Sequence, residues 1–199
     1  MLLAPGGRSR STAPDSRLAG PALRMLPFSA DLARAGCRRG LAVAQLRYRV
    51  QGYNESEAVE DVCWALDRLS ARHDAPICVV GHSMGARAAL RSAGHPAVVA
   101  VAALAPWLPP EEPVDQLDGR ALLIVHGLSD RITSPARSAE YIRRARPVAS
   151  RTRHVEVARS GHAMLQRPFV WQRLVRQFCL EQLGMATANP VPEMDEVTV

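Results

Sequence analysis

A serine hydroxyl becomes a useful nucleophile only when a neighbouring base takes its proton, and that base must be oriented by a third group. This sequence offers one such set. Ser83 lies in Gly81-His82-Ser83-Met84-Gly85, Asp130 in His126-Gly127-Leu128-Ser129-Asp130-Arg131, and His162 in Ser160-Gly161-His162-Ala163-Met164-Leu165. The chemistry these residues could perform is acyl transfer: attack by Ser83, proton transfer through His162, and orientation of His162 by Asp130. Two glycines spaced around Ser83 point the same way. A chain that reverses sharply at the serine brings the flanking positions close together, where a Cβ would clash.

Elements able to position these residues surround each motif. Ile77–Val80 is a short apolar run before Ser83, and Met84–Ala93 has a helical pattern ending at Gly94. The strand-to-helix turn would lift the hydroxyl clear of the sheet and set the helix N-terminus, with its free N–H groups, beside a developing oxyanion. Ala121–Val125 leads into Asp130, which therefore sits past the C-terminal end of a strand, where open parallel sheets gather their sites. His162 follows His154–Val157 in the same way. Asp115 and Asp118 precede their strand and belong at its other end. Among the histidines, His82 is inside the turn and is expected to point elsewhere, His126 precedes the acid, and His73, His95 and His154 read as surface or strand residues.

The remaining pattern completes a single-domain α/β arrangement over 1–185, with a mostly parallel sheet flanked by helices. Further strands are expected at Met1–Ala4, Leu41–Leu46 and Val98–Leu104, several of them continuous apolar runs suited to burial on both faces. Helices are expected at Pro27–Ala35, Ser56–Arg72, Ser134–Arg146 and Phe169–Leu183, with Ser9–Pro21 as a loop. The Pro- and acid-containing stretch 186–199 reads as a disordered tail.

The chain has 199 residues, 47% of them hydrophobic, and a formal charge of +6. Every basic residue is arginine. The densest cluster, Arg143, Arg144, Arg146, Arg151 and Arg153, reads as a solvated helix end, so no nucleic-acid partner is expected. No apolar run is long enough to span a membrane or to form a signal-peptide core, and no membrane partner is expected. Cys37, Cys63, Cys78 and Cys179 have neither C-x-x-C nor zinc spacing, which suits free thiols in a reducing cytoplasm and implies no metal.

On its Gly-His-Ser-Met-Gly turn, its strand-Gly-x-x-Asp loop and its Gly-His loop, in that order, the sequence resembles the α/β-hydrolase superfamily, especially its small bacterial members, from Leu2 to about Gly184. The resemblance implies hydrolysis of a small ester or thioester without a cofactor. It also implies an oxyanion hole formed by the backbone N–H of Met84 with that of Gly6 or Gly7. It departs from the family pattern in two places. The chain starts at what corresponds to the family's third strand, so either the sheet is short on one edge or the natural chain has additional upstream residues. The oxyanion loop reads Ala4-Pro5-Gly6-Gly7-Arg8 where His-Gly is common. These departures keep open an alternative, a non-catalytic binding protein on the same fold. The segment after Val98–Leu104 is too short for a lid domain. Trp107 and Leu108 are candidates for an apolar wall of an open pocket, and Arg47-Tyr48-Arg49 is a candidate contact for an anionic substrate. With no strand beyond it, Leu41–Leu46 would be a sheet edge able to pair with a second copy of the chain.

Overall fold

The computed structural model describes residues 1–185 and 196–198. Seven parallel strands form one sheet in the order β2-β1-β3-β4-β5-β6-β7. They are β1 (Leu2–Ala4), β2 (Ala44–Gln45), β3 (Ile77–His82), β4 (Val98–Leu104), β5 (Ala121–Gly127), β6 (Arg151–Val157) and β7 (Glu196–Thr198). Five helices connect them: α1 (Gly20–Gly36), α2 (Glu57–Ser70), α3 (Met84–Arg91), α4 (Pro135–Ala145) and α5 (Pro168–Gln182). The tail expected at 186–199 falls outside the described residues except at Glu196–Thr198, which pair with His154–Glu156.

The central strands are apolar apart from His82 and His126 near their C-terminal ends, because both faces are covered. In β3, Val79 faces the core beneath α2, α3 and α4, while Cys78 and Val80 face the core beneath α1 and α5. The same alternation divides Leu122 and Ile124 from Leu123 and Val125 in β5. All these residues are at least nine-tenths buried. All four cysteines are free thiols.

Three boundaries differ from the sequence expectations by three residues or more. Helix α1 begins at Gly20, not Pro27, because Pro21 occupies its first turn, where a missing N–H costs nothing. Pro27 lies inside the helix on its exposed side, while Ala22, Met25, Phe28 and Leu32 carry the buried stripe. Strand β2 is cut to Ala44–Gln45. Its flanks still pack inward, Leu41 and Val43 against one core and Leu46 within the other. Strand β6 begins three residues early, at Arg151, since its backbone pairs with β5 over the full length of that strand despite polar side chains.

Candidate active site

The turn after β3 holds Ser83 at φ 55° and ψ −116°, a left-handed conformation that a non-glycine residue adopts only under constraint. The constraint is local packing. A Cβ on Gly81 would lie 2.5 Å from the Ala86 Cα and the Gly85 carbonyl oxygen, and one on Gly85 would lie 2.2 Å from the carbonyl oxygens of Ala4 and Pro5. The first glycine lets α3 turn back against β3. The second lets the end of β1 approach the start of α3. Met84 opens that helix, so its N–H has no intrahelical acceptor.

Segment Pro5–Arg8 lies beside Ser83. A Cβ at Gly6 would stand 3.4 Å from the Ser83 Cβ, and one at Gly7 would stand 2.5 Å from the Met84 sulfur. Both loop glycines therefore abut the turn, and the loop is pinned by Arg8 N–H donating to the Gln51 carbonyl at 2.8 Å. The Pro5 carbonyl accepts from the buried Tyr48 hydroxyl at 3.2 Å, so the middle residue of Arg47-Tyr48-Arg49 supports this loop. Arg49 pairs with Asp61 and Glu60.

Ser83, Asp130 and His162 come together. His162 Nε2 lies 3.0 Å from Ser83 Oγ, and His162 Nδ1 lies 2.8 Å from Asp130 Oδ2. Asp130 Oδ1 accepts from the backbone N–H groups of Ile132 and Thr133 at 2.7 and 3.0 Å, while Oδ2 also accepts from the Thr133 hydroxyl at 2.8 Å. Burial of this side chain favours its neutral form, but the donors outweigh burial and bring its pKa down to about 2. Asp130 is thus a fixed anion behind the imidazole.

Four residues that the sequence reading did not assign to the site, His126, Ser138, Thr133 and His82, complete the network. Buried His126 places Nε2 at 3.1 Å from Asp130 Oδ2 and Nδ1 at 2.7 Å from Ser138 Oγ. Asp130 only accepts, so His126 donates from Nε2 and takes the Ser138 proton at Nδ1. Burial brings its pKa down to about 4, which keeps this ring neutral. His82 corrects an expectation: it does not point away. Its Nε2 donates to the His162 carbonyl at 3.0 Å, and the two rings lie 4.8 Å apart. Burial, with the nearby His162, brings His82 down to about 3, so it too is neutral. The signals were present as His82 next to the serine, and as His126 and Thr133 on either side of the acid. What they contact is decided by tertiary packing.

The candidate wall residues separate. Trp107 is half-buried, and its backbone N–H donates to the Ser83 carbonyl at 3.2 Å. Its ring meets Tyr53 edge-on at 5.6 Å and lies 4.7 Å from the guanidinium of Arg87, which pairs with buried Glu112. Leu108 is 6% exposed and packs in the core beneath α2, α3 and α4, where Tyr53 is also buried, leaving the wall to Trp107.

No family model matches the chain, and no curated protein matches it. Solved structures do. A monoacylglycerol lipase from Paleococcus ferrophilus superposes with a TM-score of 0.67 at 13% identity, covering 91% of this chain and 94% of that one. An esterase from Pyrococcus furiosus gives 0.67 at 17% identity, over 91% and 80% of the two chains. An alpha-beta serine hydrolase homologue from Coxiella burnetii gives 0.63 at 18% identity, over 88% of each.

Proposed function

We propose that this chain, which has the α/β-hydrolase fold, is a serine hydrolase that cleaves a small ester or thioester through an acyl-enzyme. The observation that carries the reading is the unbroken relay from Ser83 Oγ through His162 to Asp130, at 3.0 and 2.8 Å. Both distances fall within the hydrogen-bond reach required of a nucleophile, its base and the orienting acid.

In the proposed reaction Ser83 Oγ attacks the carbonyl carbon as its proton passes to His162 Nε2. The resulting imidazolium is stabilised by Asp130 through Nδ1–H. The carbonyl oxygen gains the negative charge and is met by the N–H of Met84 and that of Gly6 or Gly7. Such prearranged donors are worth about 3–4 kcal/mol each in the transition state. His162 then protonates the departing alcohol or thiol, leaving the acyl group on Ser83. Water then attacks the acyl carbon, giving its proton to His162, which passes it to Ser83 Oγ as the acyl–Oγ bond breaks and the acid departs. Trp107, whose backbone N–H donates to the Ser83 carbonyl, is the candidate wall for the acyl group. The names of the esterase and lipase neighbours agree with an ester carbonyl as the target.

A fluorophosphonate probe should label the protein at Ser83, located by peptide mass spectrometry. Ser83→Ala should abolish both the labelling and the turnover of p-nitrophenyl acetate. A folded wild-type protein that takes no label and turns over no activated ester would leave the fold with a binding role instead.

A further inference from the structure

Eight large hydrophobic side chains are exposed among the described residues, and seven of them stand on three segments around one side of the Ser83 site. Leu18, Leu23 and Leu26 lie on α1 and its approach, at 80%, 44% and 50% exposure. Leu128 and Ile132 flank Asp130 on its loop, and Leu165 and Phe169 follow His162 at 72% and 80%. Single exposed apolar residues are ordinary, whereas their gathering at one face marks a contact surface.

The segments adjoin one another. Ser129 N–H donates to the Ser160 carbonyl at 2.9 Å, which joins the acid loop to the histidine loop. Leu23, Arg24 and Phe28 of α1 share a groove with Met164, Leu165 and Pro168.

Charge says what the surface meets. Residues 17–28, 128–133 and 159–173 contain Arg17, Arg24, Arg131, Arg159, Arg167 and Arg173. Their only carboxylate is Asp130, whose side chain is fully buried. A second copy of so cationic a face would be repelled. These segments form a cationic, apolar collar; the loop after Gly7 and the turn it pairs with add exposed Arg8, Arg10 and Glu55.

We propose that this collar docks the protein on an anionic lipid surface, with Phe169, Leu165 and Ile132 entering the interface and the arginines meeting the headgroups. Apolar side chains flanked by cations are the combination that holds a protein at such an interface without spanning it. The mouth of the Ser83 site would then face the membrane, within reach of an ester held there. The inference goes beyond the proposed reaction and does not depend on it, because docking needs no turnover.

The experiment is co-sedimentation of the 199-residue protein with phosphatidylcholine vesicles, with and without phosphatidylglycerol. Binding should require the anionic lipid and weaken with salt, by about fivefold for Arg167→Gln. Leu165→Ser with Phe169→Ser should lower binding at least tenfold and leave p-nitrophenyl acetate turnover unchanged. Ser83→Ala should bind like wild type, which separates failure of docking from failure of the hydrolase reading. Trp64, the eighth exposed residue, lies off the collar, so Trp64→Ser should bind like wild type. No binding to anionic vesicles, equal binding to neutral ones, or equal loss with Trp64→Ser would overturn the proposal. Purely electrostatic binding unaffected by the Leu165 and Phe169 changes would also overturn it and point to an acidic macromolecule. Self-association relieved by those two changes would assign the face to a second copy.

Discussion

Asp130→Asn changes one atom at the heart of the relay, and the surrounding donors dictate how the amide must sit. At the Oδ1 position its NH₂ would confront the N–H groups of Ile132 and Thr133, which belong to the backbone and cannot turn. At the Oδ2 position it would face His162, His126 and the Thr133 hydroxyl. Each of these can adapt. The hydroxyl can turn to the Ala105 carbonyl at 3.2 Å, and both imidazoles can change tautomer. The amide NH₂ therefore takes the Oδ2 side, His162 Nδ1 becomes an acceptor, and its proton moves to Nε2, facing Ser83. Reversing a charge-assisted bond of about 1.5–3 kcal/mol depletes the productive tautomer roughly ten- to a hundredfold. The imidazolium also loses a buried counter-charge about 4 Å away, worth about 4 kcal/mol at an effective dielectric of about 20, or close to a thousandfold. The expected loss in kcat/KM for p-nitrophenyl acetate is at least about 10⁴-fold, in a protein whose circular dichroism is native. A folded variant retaining more than about a tenth of wild-type kcat/KM would refute the tautomer argument.

The backbone approach at Gly85 predicts that Gly85→Ala forces Ala4 and Pro5 away from α3, at a cost of about 1–3 kcal/mol. A thermal melt should show a drop of at least about 2 °C, and an unchanged Tm would contradict the packing described. His82 and His126 hold folded-state pKa values of about 3 and about 4, below the ordinary 6.5. Their neutral burial supports the fold fully above pH 6.5, and the support is lost as pH falls through the folded values. Urea unfolding across this range should show stability falling on acidification, and His126→Gln should flatten the slope; equal slopes would exclude the second ring. At the sheet edge, Ala44 and Leu46 N–H donate to β1, which leaves Val43 and Gln45 N–H directed outward. The homodimer proposed for this edge should appear in light scattering and return to monomer in Gln45→Pro. A monomeric wild type would rule it out.

The grouping of Ser83, His162 and Asp130 was legible in the sequence because each follows the C-terminal end of a strand, and parallel strands deliver such positions to one end of the sheet. The glycines at 81 and 85 were legible for a similar reason, although the clash at Gly85 comes from β1 rather than from Gly81. Residues whose part depends on contact across elements were not legible. His126 and Ser138 meet only because α4 packs against β5, and His82 meets the His162 carbonyl only once the last loop folds over the turn. Helix α1 was read short because Pro27 resembles a first-turn proline, a role that Pro21 performs. Leu108 follows a strand end as Trp107 does, and the bend between them turns it into the core.

Strand β1 is three residues long, yet its ladder to β3 sets Leu2 against Val79, Leu3 against Val80 and Ala4 against Gly81. The loop proposed to supply one oxyanion donor starts at the next residue, so its placement is inherited from that register. The consequence is an uneven tolerance of change through evolution. The donors are main-chain groups, so side chains in β1 can drift among apolar types without touching them. Loss or gain of a single codon in β1 would shift the loop by about 3.3 Å and invert which side chains face each core. Lineages carrying this protein should accumulate point replacements in this segment while its length stays constant.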